Sequence, residues 1–429
     1  MKCLSLTQKI CIVIYLFMAI FQPNILGIST FKIILLVDFA AFGFLVCKYQ
    51  KIIFNRQVLW IFAGFIPFII YMVASALLHM SLYPENTGVY FNNIFSSILP
   101  LFHSFILSLV MVQLISIKKI SYSDIEKFLL YVSLIQLVCV VLALLSSNIR
   151  NIFINIMLRD ADKDRIADFM RYGSIRMYGL ARNLFDLFGY IVSMLITLIF
   201  LKGVSENKNI YKLLAIALLI IPLLNARTGL MLTLVGFTIV LIFYYEPKKS
   251  HRYIFGGIVA IIIVVAIFSF LPEKNAEWLT KGFDDTLTYI KTGEKVGVYS
   301  QILEADIVYP SNYVMGDCGS PEALANYRGI DSGYIQCLWR FGIIGSALLF
   351  LGYLNMFLMA GFRNRTKKVY CTITVLAMLF FVYLFKLYAL DNAASNILVF
   401  GIPISLLVCS KLKHDEKFQL FRMMLKENV

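Results

Sequence analysis

Five arginines and one aspartate stand out as residues able to do chemistry: Arg176, Arg182, Arg227, Arg328, Arg340 and Asp331. Each arginine lies beside or inside an apolar run, where a cation is costly and usually functional. A guanidinium presents a planar fork that grips two phosphate oxygens at once, whereas a lysine offers a point charge. Asp331, between Arg328 and Arg340, supplies a carboxylate that can accept a proton or cap a helix. The segment 148–183 carries seven cations against four aspartates, and six of the seven are arginines. Within it, RDADKDR at 159–165 alternates in sign and reads as a solvated, self-paired face. Arg176 and Arg182 have no acid among the residues that separate them.

The elements that must hold these residues are membrane helices. The chain has 429 residues, 60% of them hydrophobic, with a mean hydropathy of +0.80. Apolar runs of roughly 18–25 residues recur along it, the length of a bilayer-spanning helix. The alternating segments of a β-barrel are absent. The expected class is an all-α polytopic membrane protein forming a single integral domain over 1–429. Helices are expected near 10–26, 28–46, 58–80, 93–116, 125–147 and 184–201. Six more fall near 211–226, 228–245, 253–271, 333–360, 369–390 and 393–410, giving about twelve spans. The first run reads as a retained helix, because no small-residue cleavage site follows it.

Lysine and arginine set the orientation. With the N-terminus in the cytoplasm, the inner connections carry Lys48, Lys51 and Arg56; Lys118, Lys119 and Lys127; Lys202, Lys208 and Lys212; Lys248, Lys249 and Arg252; and Arg363, Arg365, Lys367 and Lys368. Both termini then lie in the cytoplasm. The net charge of +14 is mostly topology signal and contact with anionic lipid, with no nucleic-acid partner implied. The two long hydrophilic segments, 148–183 and 272–332, both fall outside, the second as one large loop between helices 9 and 10. No phosphate-binding P-loop and no glycine fingerprint after a strand occurs, which argues against ATP-driven chemistry. His79, His103, His251 and His414 are scattered, so no zinc site is expected. The substrate must therefore arrive on the outer face already activated.

Three motifs appear in order. Arg176-x-x-Gly179 is followed by Asn183; Ala226-Arg227-Thr228-Gly229 follows; then Asp331-Ser332-Gly333-Tyr334 leads into Gly342-Ile343-Ile344-Gly345. Their sequence and spacing over roughly 170–360 resemble the O-antigen polymerase and ligase superfamily. Here Asn183 follows Arg182 in place of the more usual Pro-Asn, and 272–332 contains no histidine, which favours polymerase over ligase.

The resemblance implies a metal-independent and cofactor-free glycosyltransferase. It would sit in the bacterial inner membrane with its site facing the periplasm. It would transfer a growing glycan from undecaprenyl pyrophosphate to the next lipid-linked repeat unit. An acceptor hydroxyl would attack the anomeric carbon, the bond to pyrophosphate would break, and Asp331 would take the proton. Arg176, Arg182, Arg227, Arg328 and Arg340 would hold the departing diphosphate, with Arg227 also acting in catalysis. A chain-length regulator and a flippase are partners the family implies. A ligase that delivers glycan to lipid A core, and a flippase or transporter of the same lipid-linked glycan, are the alternatives.

Overall fold

A computed structural model describes residues 4–25, 28–49, 56–118, 120–157, 179–181, 185–225, 227–245, 280, 284–285, 287–294, 310, 312–317, 332–362, 366–386 and 396–406. The described chain is helical apart from a two-residue antiparallel pair, Asn24–Ile25 with Ile28–Ser29, between the first two helices. Helices α1 (Leu6–Phe21), α2 (Thr30–Tyr49), α3 (Arg56–Ala63) and α4 (Ile66–Leu82) precede a long α5 (Thr87–Lys118). Then come α6 (Tyr122–Leu145), α7 (Ser147–Met157), α8 (Phe185–Ser205), α9 (Asn209–Leu218), α10 (Ile220–Asn225) and α11 (Arg227–Tyr244). The last described helices are α12 (Gly333–Phe362), α13 (Lys367–Tyr383) and α14 (Asn396–Leu406). The helix expected near 253–271 lies outside the described residues.

Starts follow local sequence. Ser5 with Gln8 and Ser121 with Asp124 form reciprocal capping boxes, and the Thr366 hydroxyl accepts from the Val369 amide. Two expected helices are each split. Pro67 lacks the N–H that would continue the ladder, so the run over 58–80 breaks at Gly64–Phe65 between α3 and α4. Pro222 sits in the short α10, and the run over 211–226 divides after Leu218. α7 adds a helix at the start of the 148–183 segment.

Among the described residues, five helices are long and apolar enough to cross a bilayer: Val58–Leu82, Pro84–Gln113, Tyr122–Leu145, Leu187–Ser205 and Gly333–Phe362. Large apolar side chains stay exposed along several of them, among them Ile70, Leu77, Val138 and Leu351. A water-facing surface does not keep such stripes, whereas a lipid-facing one needs them. α8 is the exception. In its apolar window 89% of residues are buried inside the protein. It is the central helix, and α6, α9, α11 and α13 pack around it.

One end of α8 is locked by charge. Lys202, expected in a loop, lies in the last turn with its side chain 1% exposed. Its Nζ donates to Glu126 Oε2 (2.9 Å), Glu206 Oε1 (2.6 Å) and Ser123 Oγ (3.0 Å). Lys368 Nζ, at the start of α13, lies 2.6 Å from Glu126 Oε1. Lys202 and Lys368 with two carboxylates thus tie α6, α8 and α13 together, and the exposed Lys208 adds a third cation 3.3 Å from Glu206 Oε2. Burial raises the Glu206 carboxyl, but hydrogen bonding and attraction to Lys202, with Lys208 and Lys368 adding to them, leave it below its ordinary value of 4.5.

A second buried cluster joins α1, α2 and α5. Tyr15 Oη donates to Asp38 Oδ1, and His103 Nε2 lies 2.8 Å from Asp38 Oδ2. The His103 and Asp38 side chains are 0% and 1% exposed.

Candidate functional site

The other end of α8 gathers the motif-bearing segments. A Cβ on Gly229 would lie 2.6 Å from the Gly189 Cα and 2.8 Å from its carbonyl oxygen, so the first turn of α11 lies flush on α8. Arg227 opens that helix; its side chain is outside the described residues. Asn225, fully buried just before it, donates from Nδ2 to the Ile221 carbonyl (2.8 Å). Beside Gly189, the Tyr190 ring stacks face to face on Tyr383 at the end of α13, with centroids 4.2 Å apart and planes within 2°.

The stack leads to the third motif. The Tyr334 amide donates to the Leu384 carbonyl (3.2 Å), and its hydroxyl donates to the Phe381 carbonyl (2.9 Å). The start of α12 is therefore pinned to the end of α13. The first motif arrives from another side. Gly179 has φ +60°, and a Cβ there would lie 2.9 Å from Gln136 Nε2 and 3.0 Å from Cys139 Cβ on α6. Only glycine suits this left-handed, tightly seated position. Gly179, Gly229 and the Gly333–Tyr334 pair are thus held against α6, α8 and α13, at the end away from Lys202. Gly189 and Lys202 are separated by roughly 20 Å along the α8 axis.

The end of the third motif, Gly342-Ile343-Ile344-Gly345, interrupts a helix expected to be continuous. The sequence reads as one helix over 333–360, and Gly345 does permit close approach, since a Cβ there would run into Tyr71 Cε1 on α4. At Gly342, however, α12 is interrupted, with φ 63° and ψ −171°. The segment 312–317 fits into the break. The Ile343 amide donates to the Tyr313 carbonyl (2.8 Å), Ile344 to Val314 (3.3 Å), and Asp317 to the Trp339 carbonyl (2.9 Å). From α4, Tyr71 Oη donates to the Phe341 carbonyl (2.9 Å). Backbone groups freed by the break are satisfied by a distant segment, which is how non-helical backbone survives inside a bundle. Arg340 is half-buried in the turn just before the break.

Of the expected site residues, Arg340 is the one whose side chain is described. Arg176, Arg182, Arg328 and Asp331 lie outside the described residues, as does the Arg227 side chain. Sequence reasoning passed over Tyr190 and Tyr71, which read as ordinary aromatics of apolar runs. It also took Lys202 and Lys368 as loop charges; an acid at position 126 in a neighbouring apolar run was the signal for their pairing. Among the described residues no group of three or more His, Cys, Asp or Glu side chains could hold a metal ion.

Long apolar helices, a buried central helix and lipid-facing outer stripes define a helical, membrane-embedded protein. No family model matches the chain, and no curated protein matches it.

Proposed function

We propose that the protein is a polymerase of lipid-linked oligosaccharide repeat units, acting on the periplasmic face of the bacterial inner membrane. The observation that supports this reading is the gathering of Gly179, Gly229 and Gly333–Tyr334 at one end of α8. Arg176, Arg182, Arg227, Arg328 and Asp331 are each a few residues from one of these anchors. Such an end can present several guanidinium forks to a diphosphate whose negative charge grows as its bond to the sugar breaks. In this mechanism the acceptor hydroxyl forms the new glycosidic bond, the diphosphate leaves with the bonding electrons, and Asp331 receives the proton. Losing one fork lowers the rate on the order of 10²–10³, by analogy with loss of one oxyanion donor.

Deleting the gene and resolving surface glycan on a gel tests the reading. A polymerase null leaves lipid A core bearing one repeat unit, and bare core would refute it. Arg227→Lys, which keeps the charge and loses the fork, is expected to shorten or deplete the polymer. A flippase of the same lipid-linked glycan is the second reading. It is favoured by the buried Asp38–His103 pair, since ionisable residues at that depth often line transport paths. Its null gives bare core.

A further inference from the structure

We propose that the turn 312–317, which the sequence reads as part of a loop in water, is seated in the edge of the bilayer, with the side chains of Tyr313 and Val314 against lipid acyl chains. The proposal is independent of the chemistry given above.

The turn keeps its polar groups inside and shows apolar ones. The Tyr313 and Val314 carbonyls accept from Ile343 and Ile344, and the Asp317 amide donates to Trp339. Within the turn, the Gly316 amide donates to the Asn312 carbonyl (2.7 Å). The Val314 and Met315 amides donate to Asn312 Oδ1 (3.1 and 3.0 Å), and the Asn312 amide donates to Asp317 Oδ1 (3.2 Å). Yet the Tyr313 and Val314 side chains are 47% and 54% exposed. A loop in water does the reverse, leaving backbone to the solvent and showing polar side chains. Hydrocarbon offers no hydrogen bonds, so non-helical backbone beside it must be paired within the protein, as it is here.

The neighbouring helix supplies the depth. Beyond the break, α12 runs from Ile343 to Phe362, a rise of about 30 Å, which matches the thickness of the hydrocarbon core. Arg363 and Arg365 follow at once, as at the end of a span. Every exposed residue from Ile343 to Phe362 is apolar, Leu351, Leu354 and Leu358 among them. The break at Gly342 therefore lies at the opposite edge of the core. Tyr313 and Val314, bonded through their carbonyls to Ile343 and Ile344, prolong the lipid-facing stripe at that edge. A tyrosine is favoured at this level, because its ring suits acyl chains and its hydroxyl suits headgroups.

The test uses full-length wild type in phosphatidylcholine vesicles, so no variant has to fold. Two diazirine probes are photolysed in separate samples, one carried on a phospholipid acyl chain and one dissolved in the water. Insertion is mapped by mass spectrometry. The stretch 351–358 of α12 is the reference for lipid, and the exposed polar stretch 291–294 of the same loop is the reference for water. The lipid-borne probe is expected to label 312–317 to a degree comparable with 351–358 and several-fold above 291–294. The aqueous probe is expected to label 312–317 several-fold less than 291–294. Aqueous labelling equal to that of 291–294 would place the turn in water and overturn the proposal. Labelling by neither probe would mean that another segment or a second copy of the chain covers the turn, and would overturn it equally.

Discussion

Replacing Glu126 by glutamine should unlock the charged end of α8. In the native protein Glu126 is 5% exposed and faces two ammonium groups, Lys202 at 2.9 Å and Lys368 at 2.6 Å. Glutamine keeps the shape but removes one negative charge, leaving Lys202 and Lys368, with the exposed Lys208, against Glu206 alone. Its NH₂ also brings a donor toward a donor. Breaking a buried pair by neutralising one partner costs about 3–5 kcal/mol. The lower end applies here. Lys202 keeps Glu206 and Ser123, and the Lys368 side chain is 25% exposed. About 3 kcal/mol corresponds to roughly a hundredfold in the folding equilibrium constant. Unfolding in mixed detergent micelles, followed through the fluorescence of the three tryptophans, reads it. The sharper comparison is Glu126→Gln with Lys368→Met, which restores neutrality between Lys202 and Glu206. The double variant is expected to recover more than half of the loss. A loss below about 1 kcal/mol for the single variant, or additive losses in the double, would refute charge balance as the cause.

The depressed Glu206 carboxyl gives the same network a pH signature. Its stabilising contribution is fully present above the unfolded value near 4.5 and is lost as pH falls through the folded value, so unfolding curves measured from pH 7 down to 3 should weaken only in the acidic part, and Glu206→Gln should flatten that change. Gly342→Ala forces a side chain into left-handed backbone with Gly316 N 2.5 Å from the new Cβ, and is expected to cost about 2 kcal/mol or more and to open the 312–317 segment to protease; resistance equal to wild type would show that the break is not needed. Asp38→Ala leaves the Tyr15 hydroxyl and the His103 ring without their shared acceptor among apolar helices, and a loss of about 3 kcal/mol is expected, with an unchanged melting temperature counting against it.

Helices were legible because hydropathy over some twenty residues is a local property; their starts, set by the caps Ser5, Ser121 and Thr366, fall two to four residues before the apolar runs expected from 10, 125 and 369. Interruptions were legible only in part. Pro67 and Pro222 sit in the sequence as visible breakers, yet the apolar runs around them read as continuous. The break at Gly342 depends on carbonyls of Tyr313 and Val314, some thirty residues away across the loop, and no local pattern announces such a partner. The same holds for charge. Lys202 and Lys368 look like topology signals until Glu126 is found between them. His103 reads as isolated in the sequence, because its pairing with Asp38 joins α5 to α2 across 65 positions. For the site, a sequence shows guanidinium groups and glycine spacings. It cannot show that Gly179, Gly229 and Tyr334 anchor their segments to α6, α8 and α13.

Charge balance also decides which end of α8 an anionic ligand should seek. Counting lysines alone favours the Lys202 end, where Lys202, Lys208, Lys367 and Lys368 cluster. Those charges are already spoken for. Lys202 and Lys368 are matched by Glu126 and Glu206, Lys208 Nζ reaches Glu206 Oε2 at 3.3 Å, and Lys367 lies 5.0 Å over the Tyr244 ring. An incoming phosphate there would have to displace bonds made without desolvating a new ion. Toward the Gly189 end lie Gly179 and Gly229, whose near neighbours in the sequence are Arg176, Arg182 and Arg227, with Asp186 four residues after Arg182. Under the proposed function, cations not already matched by carboxylates make the stronger anion site. The ligand is therefore expected at the end of α8 that is poorer in lysine.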